Sequence, residues 1–293
     1  IREEDIEHIR QIADRERAPF YVVGETTGDH RFVFEQTDGV KPIDLAMEDM
    51  FGKAPRTVMT DKTVEETYED VTYDQTQLDE YVERVLQLEA VACKDWLTNK
   101  VDRSVTGKIA RQQCQGEIQL PLSDCGVVAL DYRGRAGIAT SIGHAPQAAL
   151  VDPAAGSVLS IAEALTNIVW APLSEGLDSV SLSANWMWPC KNEGEDARLY
   201  RAVEACSDFA CSLGINIPTG KDSLSMTQKY GKDKVYSPGT VIISAGAEVS
   251  DIRKVVSPVL RTGVNSTIYY IDFSFDKLKL GGSAFAQSLD KIG

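Results

Sequence analysis

Apolar residues recur at helical spacing in two segments of the second half of the chain. The first segment has six of them on one face: Val158, Ile161, Ala162, Leu165, Ile168 and Val169. Asp152 and Pro153 stand before it as a capping side chain and a first-turn proline, so we expect a helix from Pro153 through Trp170. The second segment has seven: Leu199, Ala202, Val203, Cys206, Phe209, Ala210 and Leu213. Gly214 follows where a left-handed C-terminal cap belongs, which predicts a second helix ending there.

Short apolar runs typical of strands alternate with these helices. They cover residues 125–131, 137–142, 180–183, 240–249 and 267–273. Strands interleaved with helices predict an α/β or α+β domain from about Cys93 onward.

The first 57 residues predict a helix, a hairpin and a tail. The charged helix runs to about Arg17, and the hairpin pairs residues 20–23 with residues 31–35 around Thr27-Gly28-Asp29. Such a hairpin needs a partner surface, because two strands alone are marginally stable in water.

An acidic stretch follows, in which ten acids oppose Lys62 and Arg84 between Asp61 and Glu89. It begins as a solvated linker and then turns periodic at Leu78, Tyr81, Val82, Val85 and Leu86. We therefore expect a linker that leads into a helix docked through that apolar stripe. An acidic recognition tail is the alternative interpretation.

Composition and charge exclude several classes of protein. The 293 residues are 43% hydrophobic and 25% charged, which is typical of a globular protein, and the net charge is −14. That sign argues against nucleic acid as the main partner, since duplex binding relies on clustered cations. No apolar run is long enough to cross a bilayer, and the acidic start lacks a signal peptide, so we expect a soluble, cytoplasmic protein without a membrane partner. Because the chain opens with Ile1 inside an amphipathic segment, we also expect an excised piece of a longer protein.

The six cysteines and three histidines indicate no zinc site. The cysteines form no C-x-x-C pair, and His8, His30 and His144 lie far apart in the sequence. We interpret Cys206 and Cys211, on a predicted helix, as small buried apolar residues.

Oxygen-bearing residues at two places in the sequence are candidate ligands of a cation. Glu163 and Asn167 are four residues apart, so we expect both to project from the helix face opposite the apolar stripe, beside Ser160. Carboxylate and carboxamide oxygens suit Mg²⁺. Asp124, considered separately, directly precedes a predicted strand, where an acid can reach a bound ion. From spacing alone, a solvated helix face and a carboxylate capping a local turn are the more common outcomes.

Two further segments carry candidate anion chemistry. Gly220-Lys221-Asp222-Ser223 resembles a phosphate-binding loop, but its first glycine is misplaced and a helix ends just before it, so we reject that interpretation. The run from Val101 to Gln113 contains five residues with spare donors: Arg103, Thr106, Gly107, Lys108 and Arg111. It could bind an anion, and a solvated connection between strands is the alternative.

Three stretches together resemble one enzyme family. They are VDRSVTGKIARQQCQGEIQLPLSDCGV at 101–127, EALTNIVW at 163–170 with LSANWMWP at 182–189, and PTGKDSLSM at 218–226. They are similar to the formylglycinamide ribonucleotide amidotransferases, the large single-chain phosphoribosylformylglycinamidine synthases of purine biosynthesis. RERAPFYVVGETT at 15–27 and PIDLAMEDMFGKAPR at 42–56 extend the resemblance upstream.

The resemblance implies a domain plan that covers nearly the whole chain. Residues 1–57 would close a preceding C-terminal domain of the aminoimidazole-ribonucleotide-synthetase-like, or PurM-like, fold. Residues 58–92 would be the acidic linker and helix, and residues 93–275 the second PurM-like N-terminal domain. Residues 276–293 would be the truncated start of the next domain.

The resemblance also implies roles for individual residues. Asp124, Glu163 and Asn167 match magnesium ligands of an auxiliary site that holds ADP, Ser123 matches a position that contacts the nucleotide, and Lys94 matches a lysine near its phosphates. We expect Mg²⁺ and ATP or ADP as cofactors, and no catalytic residue is assigned in this chain.

The implied parent reaction converts formylglycinamide ribonucleotide, glutamine and ATP to formylglycinamidine ribonucleotide, glutamate, ADP and phosphate. The first synthetase half and the glutaminase would lie elsewhere in the parent chain, so we expect this piece alone to be inactive. The alternatives are a noncatalytic nucleotide-binding scaffold and another ATP-dependent enzyme of the PurM-like superfamily.

Overall fold

The chain divides between Val58 and Met59 into two units, Ile1–Val58 and Met59–Gly293. The structure, a computed structural model, describes residues 1–53, 56–98, 103, 107–272 and 279–293. This division falls one residue after the predicted end of the first segment at residue 57. The predicted boundaries at 57, 92 and 275 and the domain identities attached to them stay predictions.

The first unit consists of short elements. They are helix α1 (Ile6–Arg15) after a 3₁₀ turn (Glu3–Asp5), strands β1 (Arg31–Phe34) and β2 (Ile43–Ala46), and helix α2 (Met47–Phe51). The charged helix is therefore confirmed, but the predicted hairpin is wrong, because β1 pairs antiparallel with β2 and residues 20–23 form no strand.

Two local features explain this different pairing. The carboxylate of Asp38 accepts a hydrogen bond from the backbone N–H of Val40 at 3.0 Å, which closes the turn between β1 and β2. Arg31 and Asp44 then form an ion pair across the two strands. Thr27-Gly28-Asp29 instead forms a separate local turn, in which Asp29 accepts from the backbone N–H of Arg31 at 3.0 Å.

The second unit contains the remaining elements. Its helices are α3 (Leu78–Gln87), α4 (Asp95–Thr98), α5 (Pro146–Val151), α6 (Pro153–Ile168), α7 (Glu195–Leu213) and α8 (Ala284–Ser288). Its strands are β3 (Ile109–Arg111), β4 (Cys114–Gln115), β5 (Leu120–Pro121), β6 (Cys125–Ala129), β7 (Gly137–His144), β8 (Ser181–Met187), β9 (Asn216–Ser223), β10 (Thr227–Tyr230), β11 (Asp233–Tyr236) and β12 (Thr240–Val249). The predicted mixture of helices and strands is confirmed.

One sheet organises this unit. Within the described residues it has six strands in the order β3-β6-β7-β12-β8-β9, antiparallel throughout except for the parallel pair β8 and β9. Helix α6 contacts β7, β12 and α7, so one face of the sheet is covered. Its core includes the fully buried side chains of Val127, Ile161, Ile168, Leu182 and Ile243. Burial of each such side chain stabilises the folded state by about 1.5–3 kcal/mol.

The two predicted helices are confirmed with small changes at their ends. Asp152 accepts from the backbone N–H groups of Ala154 and Ala155, and the helix that it caps ends at Ile168 rather than Trp170. Gly214 adopts φ 69° at the end of α7, where a left-handed residue closes the last turn.

Two other expectations are corrected, and one is supported. Residues 267–272 form no strand, and Phe273 lies outside the described residues. Residues 220–223 lie in strand β9, which was not predicted, and this agrees with rejecting a phosphate-binding loop there. The apolar stripe of α3 is only partly docked: the ring of Tyr81 packs edge to face on Phe285 with centroids 5.2 Å apart. Its other members include three exposed residues, Leu78, Val82 and Leu86.

Among the described residues, no helix combines the length and apolar character that crossing a membrane requires.

Candidate functional site

Helix α6 lies unusually close to the end of strand β7. A Cβ atom on Gly143 would stand 2.1 Å from the backbone oxygen of Ser160 and 2.4 Å from the backbone nitrogen of Ala164. The hydroxyl of Ser141 donates a hydrogen bond to the backbone oxygen of Ala164 at 2.6 Å. Only a glycine permits this approach, which brings the polar side of α6 to the last residues of β7.

Glu163 and Asn167 are both hydrogen bonded to the backbone of β7. Glu163 Oε2 accepts from the backbone N–H of His144 at 2.6 Å, and Asn167 Nδ2 donates to the backbone oxygen of Ile142 at 3.1 Å. These bonds commit one carboxylate oxygen and the amide nitrogen to the protein. Among the described residues, Glu163 Oε1 and Asn167 Oδ1 take part in no hydrogen bond, so each residue retains one oxygen that could bind a cation.

Ser160 does not share this polar surface. It is buried, and its hydroxyl donates to the backbone oxygen of Gly156 at 2.9 Å. The expectation that Ser160 projects beside Glu163 and Asn167 is therefore wrong. Helix α6 packs against both the sheet and α7, so it buries a wider arc than one apolar stripe, and a serine bonded within its own helix fits there.

Asp124 is exposed and stands immediately before β6. The antiparallel register pairs Cys125 with Ser141, and one further step sets Asp124 opposite Ile142. Asn167 holds the backbone oxygen of that same Ile142. The strand register therefore brings the backbone of Asp124 to the corner of the sheet that α6 reaches.

No hydrogen bond or ion pair joins the Asp124 carboxylate to Glu163 or Asn167 in the described part of the chain. That part also contains no group of three or more His, Cys, Asp or Glu placed to hold a metal ion. The candidate set includes only two residues of those types, Asp124 and Glu163, so this finding does not test it.

Ser123 directly precedes Asp124, and Lys94 lies on a more distant segment of the sequence. The backbone N–H of Ser123 donates to the backbone oxygen of Gln113 at 3.0 Å. The Ser123 hydroxyl donates to the backbone oxygen of Cys125 at 3.2 Å. Lys94 is half-buried, and its Nζ donates to the backbone oxygen of Ala92 at 2.9 Å. It directly precedes α4, which contacts β5, and β5 ends two residues before Ser123.

Sequence reasoning missed the part that His144 takes in this site. The Nδ1 atom of His144 lies 3.7 Å from Glu163 Oε2. The backbone N–H of His144 donates its hydrogen bond to this same oxygen. The signal in the sequence was Gly143-His144 at the end of an apolar strand, where a glycine often marks a close backbone approach.

Three of the buried cysteines are poor nucleophiles. Burial raises the pKa of Cys206 to about 11, and burial with a hydrogen bond to Asp196 raises that of Cys190 to about 12. Burial also raises the pKa of Cys125, although Arg111 opposes the shift. Because the thiolate is the reactive form, these three residues are suited to packing rather than chemistry.

A family model described as the FGAR-AT PurM_N-like domain matches residues 93–248, which is more than half of the chain. The chain belongs to this family. The match confirms the PurM-like N-terminal fold that the sequence motifs indicate.

Curated relatives agree with this assignment. The chain is 36% identical to the phosphoribosylformylglycinamidine synthase of Dictyostelium discoideum and 37% identical to that of Homo sapiens. Both matches cover 100% of this chain and 23% of the relative. The enzyme of Drosophila melanogaster is 38% identical over 98% of this chain, which spans 22% of that relative. The chain therefore spans about a quarter of the length of these relatives.

Solved structures show the same fold. Thermotoga maritima PurL complexed with ADP superimposes with a TM-score of 0.57 at 15% identity, covering 87% of this chain and 38% of PurL. PurL complexed with ATP gives a TM-score of 0.55 at 14% identity, and the match covers 88% of this chain and 38% of PurL.

Proposed function

We propose that this chain is part of an ATP-dependent amidoligase of purine biosynthesis. The whole enzyme would convert formylglycinamide ribonucleotide, glutamine, ATP and water to formylglycinamidine ribonucleotide, glutamate, ADP and phosphate. In that reaction the amide oxygen leaves with the phosphoryl group of ATP as a carbon–nitrogen bond forms to ammonia from glutamine. Support comes from the relatives' name, phosphoribosylformylglycinamidine synthase, which holds over nearly the full length of this chain.

The chain's own contribution in this proposal is an auxiliary Mg-ADP site. Glu163, Asn167 and Asp124 would hold the ion, with Ser123 and Lys94 beside the nucleotide. The observation that carries the proposal is the pair of bonds from Glu163 and Asn167 to the end of β7, which leaves one oxygen of each residue available. The PurL structures named as complexes with ADP and ATP support nucleotide as the ligand.

The donor set fits magnesium. It consists of oxygens only, and the ion prefers one or two carboxylates together with phosphate and water. When bound, Mg²⁺ would offset the repulsion between the two carboxylates and the nucleotide phosphates. Asn167 Nδ2 fixes the amide orientation by donating to Ile142, which makes Oδ1 the atom available to a cation.

Nucleotide released from the purified 293-residue chain tests this assignment. The protein is incubated with Mg-ADP, desalted and denatured, and its supernatant is chromatographed, in parallel with a sample dialysed against a magnesium chelator before desalting. Close to one ADP per chain, lost after chelation, would support the site. Absence of ADP in both samples would count against Asp124, Glu163 and Asn167 as ligands in this chain. An assay with formylglycinamide ribonucleotide, ATP and ammonia separates binding from turnover, and we expect no product from this piece alone.

A further inference from the structure

A polar cavity of about 390 Å³ lies beside strands β3 and β4, and the function proposed above does not use it. Its lining consists of Arg103, residues 109–112, residues 114–116 and Gln119, all within the second unit. Two of these residues are arginines, and none of the described lining residues is acidic. A cavity of this size falls within the range of small-molecule sites.

Arg111 is fixed in the wall of this cavity by neutral partners. Its Nη1 donates to Gln115 Oε1 at 2.7 Å, and its Nη2 donates to the backbone oxygen of Val255 at 3.0 Å. Gln115 is itself buried and held by a 2.6 Å bond from its Nε2 to the backbone oxygen of Gln112. Within the described residues, the guanidinium is thus oriented by neutral groups and forms no ion pair with a carboxylate.

Three buried polar atoms of this lining have no hydrogen-bond partner among the described residues: Arg111 Nε, Arg103 Nη1 and Gln112 Oε1. Two are donors on cations and one is an acceptor. Leaving such groups unpaired costs free energy, and more when the group is charged. A ligand that accepts from both guanidinium groups and donates to Gln112 would satisfy all three.

A register shift in strand β3 determines the position of Arg111 in the cavity wall. The pairing of β3 with β6 shifts register between Ile109 and Arg111, from Val128 to Val127. A bulge of this kind redirects a side chain and is enriched next to binding sites.

We infer that this cavity binds an oxyanion of the phosphate class, free or as a small phosphate monoester, without requiring Mg²⁺. Guanidinium groups match the geometry of phosphate oxygens. A hydrogen phosphate also carries an O–H that can donate to Gln112 Oε1, which sulfate at neutral pH does not. The chain's net charge of −14 disfavours general attraction of anions, so binding depends on these two arginines.

Calorimetric titration of the 293-residue chain with inorganic phosphate, in buffer containing a magnesium chelator, tests the inference. We expect one site that Arg103→Gln weakens by about tenfold, because a charge-assisted hydrogen bond is lost. Arg133→Gln is the matched control: it removes the same charge from an exposed position outside the cavity and should leave the affinity within about twofold. Absence of binding, or equal losses in the two variants, would overturn the proposal.

Additional variants and ligands in the same titration identify the ligand class and separate loss of binding from misfolding. Arg111→Gln also removes bonds to Gln115 and Val255 and can disturb folding, whereas Arg103 Nη1 makes no hydrogen bond to any described residue. Ribose 5-phosphate binding more tightly than inorganic phosphate identifies a phosphate monoester, and the reverse order identifies free phosphate. Sulfate binding as tightly as phosphate would contradict the part assigned to Gln112. Glu163→Gln should leave phosphate binding unchanged, so failure of the magnesium site and failure of this site are distinguishable.

Discussion

The carboxylate of Glu163 and the backbone N–H of His144 are joined by a hydrogen bond of 2.6 Å, which ties helix α6 to the last residue of strand β7. Gly143, the residue before His144, lets the helix come this close. The same contact thus fixes the packing of the helix and orients the carboxylate that we assign to magnesium. Because one oxygen of Glu163 is structural and the other is available, substitutions can separate the two roles.

Glu163→Gln should weaken Mg-dependent ADP binding by about tenfold or more, since the ion loses an anionic ligand. The glutamine oxygen can still accept from His144, so the melting temperature should change little. Glu193→Gln removes the same charge from an exposed position in the loop before α7 and serves as the control. Calorimetry of both variants with ADP, with and without Mg²⁺, measures the difference. Equal affinities in the two variants would remove Glu163 from the site.

Gly143→Ala should destabilise the second unit, because its Cβ would stand 2.1 Å from the backbone oxygen of Ser160. Overpacking of this kind costs about 1–3 kcal/mol or more. Gly246→Ala on β12 is the matched control, since no atom of the described residues lies within 4 Å of its added Cβ. Urea unfolding curves give the comparison. We expect Gly143→Ala also to lose ADP affinity, whereas a variant as stable as Gly246→Ala would show that α6 can move away freely.

Asp61→Ala should lower stability at neutral pH, because Asp61 accepts hydrogen bonds from the backbone at the start of α7. Its Oδ1 accepts from Gly194 at 3.3 Å, and its Oδ2 accepts from Asp196 at 3.0 Å. Backbone hydrogen bonds, from Lys62 first and then from the start of α7, lower the pKa of Asp61 below its ordinary value of 3.8. Because the pKa of Asp61 is lower in the folded than in the unfolded state, its stabilising effect is fully present when the pH is above the unfolded pKa of 3.8. The effect is lost as the pH falls through the pKa of the folded state.

Unfolding midpoints of the wild type and Asp61→Ala across pH 7 to 3 check this expectation. The difference between them should be constant down to about pH 5 and shrink below 3.8. Glu65→Ala removes an exposed acid from the same segment and should show neither effect. If the difference in unfolding midpoint between wild type and Asp61→Ala stayed constant to pH 3, the hydrogen bonds assigned to the Asp61 carboxylate would be contradicted.

Alkylation of the native protein should divide its cysteines by burial. Cys93 and Cys211 are exposed, so the predicted burial of Cys211 is wrong, and both should react with iodoacetamide first. Cys206 is buried with a pKa of about 11, so it should react only after unfolding. Mass spectrometry of peptides from native and urea-treated samples measures the order of modification. Native labelling of Cys206 at the rate of Cys211 would contradict this packing.

Local patterns in the sequence determined much of the second unit. The spacing of apolar residues, the Asp152 cap and Gly214 defined α6 and α7, because helix periodicity and capping depend on neighbours within a few residues. The four-residue spacing of Glu163 and Asn167 identified the candidate pair for the same reason.

Only the tertiary structure decided which distant segments meet. The register of β6 on β7 brings Asp124 towards α6, and Asp61 reaches Gly194 across 133 residues. The β1–β2 pairing, the burial of Ser160 and the cavity beside Arg103 and Arg111 are likewise products of contacts between remote positions. Sequence periodicity specifies which face of an element is apolar, but the packing of several elements together determines what each side chain touches.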